Sequence, residues 1–213
     1  MELGGNAPFI VFDDADIDAA VQGALISKYR NSGQTCVCTN RIFVHDSIHD
    51  VFVEKLVAAT AELKMGNGLD EGVQQGPLVN EKAVEEVDRL VRSSTDAGAQ
   101  VALGGARSDL GPCYYQPTVL TGVTSEMAVF RNEIFGPVAP VMSFADEAEA
   151  IALANDTEFG LASYFYTRDI GRVWRVSEAL DYGMVGVNVG IISNEMATFG
   201  VVKASGSGRE GSI

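Results

Sequence analysis

The sequence has few positive charges and no long hydrophobic run. Fifteen Lys and Arg residues face 29 Asp and Glu residues, which gives a formal net charge of −14. Because such a field repels phosphate backbones and anionic membranes, no nucleic-acid partner is expected. No segment reaches the ~18 apolar residues of a membrane span, and residues 1–5 lack the basic and apolar regions of a signal peptide. A cytoplasmic protein with no membrane partner is therefore expected.

Cysteine is also scarce. Three cysteines in 213 residues argue against a secreted disulfide framework and for thiols with another use. A chain of this length buries roughly 70 to 75% of its unfolded surface, so its core needs no disulfide or metal for support. His45 and His49 lie four apart but do not form an H-E-x-x-H motif, and no CxxC pair adds further ligands. No metal site is predicted.

Strand and helix patterns alternate along the chain. Short apolar runs typical of buried strands occupy residues 9–12, 41–44, 138–144, 163–166 and 184–187, with a further strand at 100–103. Apolar residues at helical spacing occupy 17–25, 48–59, 84–91, 147–154 and 170–180. This alternation predicts an α/β fold with a mainly parallel sheet. Residues 199–211 carry four glycines and predict a loop or tail rather than another sheet unit.

The segment Gly206–Gly211 matches the letters of the G-x-G-x-x-G dinucleotide motif. That motif requires a strand before the glycines and a helix after them, whose N-terminus binds the pyrophosphate. Only Ser212 and Ile213 follow here, so no phosphate-binding loop is predicted at this place.

Cys36 lies in a polar, glycine-bearing segment after a predicted helix, where a thiol is accessible and close to backbone amides. A cysteine taken alone is more often a small buried hydrophobe. The context is given by three segments: Glu2–Pro8 (ELGGNAP), Gly33–Cys36 (GQTC) and Glu133–Pro137 (EIFGP). Cys36 follows Glu2 by 34 positions and precedes Glu133 by 97. In this order and spacing the segments resemble the signatures of aldehyde dehydrogenases.

The resemblance implies an aldehyde dehydrogenase catalytic domain with three layers, a mainly parallel twisted sheet flanked by helices. Residues 1–188 are expected to form this domain, and residues 189–213 its substrate-mouth loop and glycine-rich C-terminal tail. The N-terminal dinucleotide-binding domain of the family is expected to be missing from this chain, so that the chain alone is inactive. NAD or NADP is the implied cofactor, with most of its binding site in the missing domain, and the full-length form is expected to be a homo-oligomer.

The resemblance also assigns roles. Cys36 is the implied thiolate nucleophile, and Glu2 is the general base that helps water cleave the thioester. Glu133 and Phe135 are the implied contacts of the nicotinamide ribose and ring. Without the motif, Glu2 would be interpreted as a solvated glutamate, Glu133 as a helix-cap carboxylate and Phe135 as a core aromatic.

Segments 29–38 and 183–193 resemble succinate-semialdehyde dehydrogenases in particular. In that group an arginine six residues before the nucleophile and a serine in a late loop bind the remote carboxylate of the substrate, and these correspond to Arg30 and Ser193. A guanidinium binds a carboxylate bidentately, which suits this role. The alternatives are a helix-end cation for Arg30 and an ordinary loop residue for Ser193.

Cys38 is a candidate redox partner, because a disulfide with Cys36 would block the nucleophile reversibly; alternatively Cys38 is an inert neighbour. Val189, Thr198 and Val201 stand where relatives usually have glutamate, proline and glycine, which weakens the substrate assignment. Val201 in particular places a branched side chain where a close approach or an unusual φ is expected.

The implied activity is oxidation of a small aldehyde, succinate semialdehyde to succinate, through a cysteine thiohemiacetal and thioester. Two other classes stay open. Cys36 with Glu2 could hydrolyse activated esters without nicotinamide, or the chain could be a non-catalytic interaction domain.

Overall fold

The computed structural model of the protein describes residues 3–194 and 197–211. Its helices are α1 (Ile17–Tyr29), α2 (His49–Ala61), α3 (Glu81–Asp96), α4 (Ala128–Arg131), α5 (Glu147–Asn155) and α6 (Ile170–Ala179). Its strands are β1 (Ala7–Val11), β2 (Thr39–His45), β3 (Gln100–Leu103), β4 (Thr118–Thr121), β5 (Val138–Phe144), β6 (Phe159–Gly160), β7 (Ala162–Tyr166), β8 (Met184–Val187), β9 (Phe199–Gly200), β10 (Val202–Lys203) and β11 (Arg209–Glu210).

Seven of these strands form one sheet in the order β3-β4-β5-β2-β1-β7-β8. The pairs within β4-β5-β2-β1-β7-β8 are parallel, and only the edge strand β3 is antiparallel to its neighbour β4. The predicted α/β class with a mainly parallel sheet is confirmed. Within the described residues, no helix is long and apolar enough to cross a membrane.

The sheet separates two apolar cores. Because successive side chains of a strand point to opposite faces, Ile10 and Phe12 enter one core while Phe9 and Val11 enter the other. Helices α1 and α2 cover the Phe9 side, and helices α3, α4, α5 and α6 cover the Phe12 side. The three-layer arrangement is thus confirmed.

Four helices begin at a side chain that accepts a hydrogen bond from the first turn. Asp16, Asn80, Asp146 and Asp169 cap α1, α3, α5 and α6 in this way. Since such caps satisfy backbone N–H groups that have no partner within the helix, they fix where each helix starts. The last turn of α1 leads into the Cys36 segment.

The glycine-rich C-terminal segment differs from its prediction. It contains β9, β10 and β11, where only a loop or tail was expected; β11 pairs with β9, and β10 pairs with β6, both antiparallel and outside the main sheet. Gly206–Gly211 contains β11. Of the two alternatives expected at Val201, the unusual φ is not found, because its φ is not positive and its side chain belongs to the core that contains Phe9; the close approach stays a prediction.

Arg41 is a fully buried residue of β2 that the sequence analysis missed. Its guanidinium donates to the carbonyl of Asn6 at 2.9 and 3.2 Å, to those of Leu153 and Ala154 at 3.0 and 2.9 Å, and to the Tyr182 hydroxyl at 2.9 Å. Burial lowers the pKa of Arg41 from its usual value. Because Leu153 and Ala154 end α5, Arg41 joins the start of β1 to the negative end of that helix dipole.

Replacing Arg41 by Met is expected to lower the free energy of unfolding by about 3 kcal/mol or more, because the carbonyls of Asn6 and Leu153 lose this donor and that of Ala154 keeps only the Tyr182 hydroxyl. Denaturant titration of the chain at pH 7 measures this. Arg89→Met is the control, since Arg89 pairs with Glu86 and both side chains are more than half exposed; such a surface pair is worth about 1 kcal/mol or less. Equal stability of the two variants would contradict the role given to Arg41.

Candidate active site

The chain reverses sharply between α1 and Cys36. Asn31, Ser32 and Gly33 have φ values of 52°, 54° and 77°, which lie in the left-handed region. Gly33 is required there for a second reason: a Cβ on it would lie 2.1 Å from the carbonyl oxygen of Gly136. This close approach holds the Cys36 segment against the Glu133–Pro137 segment.

Cys36 lies in a tight turn from Thr35 to Cys38. The Cys38 N–H donates to the Thr35 carbonyl at 3.0 Å, and the Tyr164 hydroxyl donates to the Val37 carbonyl at 2.7 Å. Tyr164 belongs to β7 of the main sheet, so the turn is fixed to the sheet. Cys36 is partly exposed on this fixed turn, which is the situation that a nucleophilic thiol requires.

Cys36 and Cys38 are both thiols in the structure. Cys38 is buried. Its Sγ lies 2.7 Å from the Thr35 hydroxyl and donates to the Arg30 carbonyl at 3.7 Å. The predicted Cys36–Cys38 disulfide is not present in this state and stays a prediction.

Gly4 and Gly5 lie between Cys36 and Glu133. The Gly5 N–H donates to Glu133 Oε1 at 3.0 Å. A Cβ on Gly4 would lie 2.3 Å from Glu133 Oε2, and one on Gly5 would lie 2.5 Å from the Cys36 carbonyl oxygen. All three sequence signatures therefore meet at one place. Glu2, the predicted general base, lies outside the described residues.

Phe135 and Glu133 do not have the alternative roles considered from sequence. Phe135 is 43% exposed, so it is no core aromatic, and its φ of 51° is left-handed. Such a backbone costs energy in a bulky residue and persists where its surroundings enforce it. Glu133 accepts from Gly5 and does not cap a helix N-terminus through that bond. Their expected contacts with the nicotinamide ribose and ring stay predictions.

Lys28 is a buried charge beside these groups that the sequence analysis missed. It lies on α1 with 1% of its surface exposed. Burial lowers its pKa to about 8, although the nearby Cys38 and Glu133 favour its charged form. Burial likewise raises the pKa of Glu133, while the hydrogen bond from Gly5 and the charge of Lys28 oppose this rise. The signal in the sequence was a lysine in helical register with the buried Val21 and Ala24.

Asn6 and Asn40 were missed as well. Both are buried polar residues at the starts of β1 and β2. Asn40 is the second residue of β2 and precedes Arg41, so two polar residues open a strand that continues with the apolar Ile42 and Phe43. A buried polar pair at a strand start indicates a hydrogen-bonded junction, and that pattern was the available signal.

The two predicted carboxylate-binding residues line different grooves. Arg30 is exposed in a groove of about 340 Å³ beside α1. Ser193 is exposed in a groove of about 440 Å³ that runs along β8 and the segment after it. Neither groove contains both residues, so joint binding of one carboxylate stays a prediction.

Lys28 gives the stability a specific pH dependence. Its pKa is about 8 when folded and 10.5 ordinarily, so between these values the unfolded chain binds more protons and stability rises with pH. From pH 8 to 10 the free energy of unfolding is expected to rise by about 2 kcal/mol relative to Lys28→Met, as measured by denaturant titration. Raised tyrosine pKa values, such as about 12 for Tyr166, act in the opposite direction only above pH 10.

Lys82→Met, which removes an exposed lysine of α3, is the control for the loss of one positive charge. A difference between wild type and Lys28→Met that stays constant from pH 8 to 10 would show that Lys28 does not titrate in this range.

Comparison with known proteins agrees with this geometry. The model of the aldehyde dehydrogenase family matches residues 1–213. The glutarate-semialdehyde dehydrogenase of Pseudomonas aeruginosa is 61% identical, and the succinate-semialdehyde dehydrogenase [NADP(+)] of Escherichia coli is 58% identical; each alignment covers 100% of this chain and 44% of the relative. The crystal structure of succinate-semialdehyde dehydrogenase from Burkholderia pseudomallei superposes with a TM-score of 0.98 at 61% identity, over 99% of this chain and 44% of that one.

The chain spans less than half the length of the curated relatives it matches. The match nevertheless includes every part of the chain, and the three segments that meet at Cys36 are the ones that carry the sequence resemblance. The chain belongs to the aldehyde dehydrogenase family.

Proposed function

We propose that this chain supplies the nucleophile and part of the cofactor site of an enzyme that oxidises succinate semialdehyde to succinate with NAD or NADP. One observation carries the proposal. Gly4 and Gly5 hold the Cys36 turn on one side and the Glu133 carboxylate on the other, within contact distance of both. The proposed nucleophile, Cys36, and a proposed cofactor contact, Glu133, are thereby both held by the backbone of Gly4 and Gly5.

Cys36 acts as a thiolate. Its sulfur forms a bond to the aldehyde carbon, and the carbonyl electron pair moves to the oxygen, which gives a thiohemiacetal oxyanion. The backbone N–H of Cys36 helps to hold this oxygen, as the family resemblance implies. The partial exposure of Cys36 on a fixed turn supports this role, because an accessible, oriented thiol reaches the near-attack geometry without rearrangement.

Glu133 and Phe135 fit the nicotinamide half of the cofactor. The Glu133 carboxylate is an acceptor suited to ribose hydroxyls, and the exposed Phe135 ring offers an apolar face to a flat ring. NAD(P)+, when bound, supplies the acceptor for the hydride that leaves the thiohemiacetal carbon. Water then cleaves the resulting thioester, and Glu2 is the proposed base that accepts its proton.

The substrate class follows from Arg30 and from the relatives. The two curated relatives are named for glutarate semialdehyde and succinate semialdehyde, both of which carry a carboxylate at the end remote from the aldehyde. Arg30 is exposed just after α1, six residues before Cys36. It differs in this from Arg41, which is buried and bonded to backbone carbonyls. An aldehyde with a remote carboxylate is therefore the proposed substrate class, with succinate semialdehyde first.

The proposal is tested in a chimera in which residues 1–213 replace the matching segment of the E. coli relative. The chimera is expected to form NADPH from succinate semialdehyde, and Cys36→Ala is expected to lower kcat by ~10³-fold or more because the covalent step is lost. Cys113→Ala is the control, since Cys113 lies in the loop before β4, where its carbonyl accepts from Leu78.

The outcomes separate the three functional classes. If the chimera folds but oxidises no carboxylated aldehyde, the dehydrogenase proposal fails. Cys36-dependent release from an activated ester by the chain alone, without nicotinamide, would then favour a thiol-dependent acyl hydrolase. Absence of both activities would favour a non-catalytic interaction domain.

Arg30→Met in the same chimera tests the substrate class. The KM for succinate semialdehyde is expected to rise roughly 10- to 100-fold, because a charged hydrogen-bonding partner of the carboxylate is lost. The KM for the uncharged butanal is expected to change less. Arg131→Met is the control, because Arg131 is a comparable surface arginine that pairs with Asp156. An equal rise for both aldehydes would contradict recognition of the carboxylate by Arg30.

A further inference from the structure

The side chain of Asn40 is buried, with 3% of the residue exposed, and all of its hydrogen-bonding groups have partners. Its Nδ2 donates to Asn6 Oδ1 at 2.6 Å and to the Asn132 carbonyl at 2.8 Å. Its Oδ1 accepts from the Ile134 N–H at 2.9 Å. The amide therefore contacts the chain immediately before and immediately after Glu133.

Asn40 is itself held from the other side. Asn6, which accepts from it, donates through its own Nδ2 to the Phe130 carbonyl at 3.0 Å and to the Thr157 hydroxyl at 3.2 Å. The carbonyl of Asn6 accepts from the buried guanidinium of Arg41. The amide plane of Asn40 thus has one orientation that satisfies all of its neighbours, and a buried network of this kind is rigid.

We propose that Asn40 is a positioning residue for the cofactor segment Glu133–Phe135. It holds this segment at a fixed position relative to Cys36, which lies four residues before Asn40 in the chain. The proposal rests on the function proposed above. Phe135, with its left-handed φ, needs such an external constraint. Because hydride transfer is steeply sensitive to distance and angle, the segment that contacts the nicotinamide must be fixed relative to the nucleophile.

The chemistry of asparagine suits this task. A planar amide carries donors and an acceptor on neighbouring atoms, which is what a bond to the Asn132 carbonyl and one from the Ile134 N–H require together. Aspartate keeps the acceptor but places a second oxygen against the Asn132 carbonyl. Alanine leaves a buried carbonyl and a buried N–H without a partner.

Asn155 offers a matched control within the same chain. Its Nδ2 donates to the Ala179 carbonyl at 2.9 Å, and its Oδ1 accepts from the Asp181 N–H at 3.0 Å. It therefore contacts both sides of Leu180 in the way that Asn40 contacts both sides of Glu133. The segment that it holds lies after α6 and does not include any proposed site residue.

The experiment compares Asn40→Ala, Asn40→Asp and Asn155→Ala in the chimera. Its main readout is the Kd of NADP+ in the absence of aldehyde, measured by fluorescence titration. Both Asn40 variants are expected to raise this Kd and the KM of NADP+ about five- to tenfold, through a displaced Glu133 and Phe135. The rate at which an activated ester acylates Cys36 is expected to change less than the Kd, and Asn155→Ala is expected to leave the Kd within about twofold.

Two results would overturn the proposal. One is an unchanged Kd in a folded Asn40→Ala chimera. The other is an equal rise in Asn40→Ala and Asn155→Ala, which would indicate general destabilisation. If Asn40→Ala does not fold, Asn40→Ser, which keeps one hydroxyl to bridge the segment, is judged by the same criteria. Failure of the parent chimera to bind NADP+ or oxidise aldehyde would instead refute the proposed function, and with it the role of Asn40.

Discussion

The arrangement of the site depends on one buried polar junction, formed by Asn6, Asn40 and Arg41. Asn6 uses its backbone carbonyl to accept from Arg41 and its side-chain oxygen to accept from Asn40. Because these bonds lie in a protein interior, leaving any of the groups without a partner would be costly, and the three residues adopt one joint geometry. The junction thereby fixes the relative positions of β1, β2 and the chain around Glu133.

Among the described residues, three of the five non-glycine residues with a positive φ lie in the segments around Cys36 and Glu133. Asn31, Ser32 and Phe135 are non-glycine residues in the left-handed region, each at a cost on the order of 1 to 3 kcal/mol. Local bonds offset part of this cost: the Ser32 hydroxyl donates to the Gly76 carbonyl at 3.0 Å, and the Gln34 amide donates to the Asn31 carbonyl at 3.1 Å. The turn at Asn31 leads from α1 to β2 and the turn at Phe135 leads from α4 to β5, so each is held at both ends by a regular element.

Sequence patterns predict the elements that have enough residues to show a period, but not the short ones. β5 and β8 were predicted with their observed bounds, whereas β9, β10 and β11 have two residues each, too few for any alternation to appear. Strand β4 was also missed, although it is as long as β3 and β8, which were predicted.

The same difference applies to the site. Cys36 and Glu133 were found because each stands in a distinctive local motif. Asn40 was not, because its role arises from Asn132, which is 92 residues away along the chain. That contact exists only because β5 lies beside β2 in the sheet order, and sequence patterns do not determine strand order. Lys28 was missed because a helical period identifies a buried face but not a buried charge on it.

The local charges around Cys36 also resolve an apparent conflict in the composition. A net charge of −14 would repel an anionic aldehyde if it acted uniformly. Surface charges, however, are screened over about 8 Å at physiological ionic strength, whereas a buried charge is screened much less. Lys28, with a pKa of about 8, is mostly protonated at neutral pH and lies near Cys38 and Glu133. Under the proposed function, Lys28 and Arg30, two residues later, are the local positive charges expected to favour a carboxylate at the Cys36 segment despite the acidic surface.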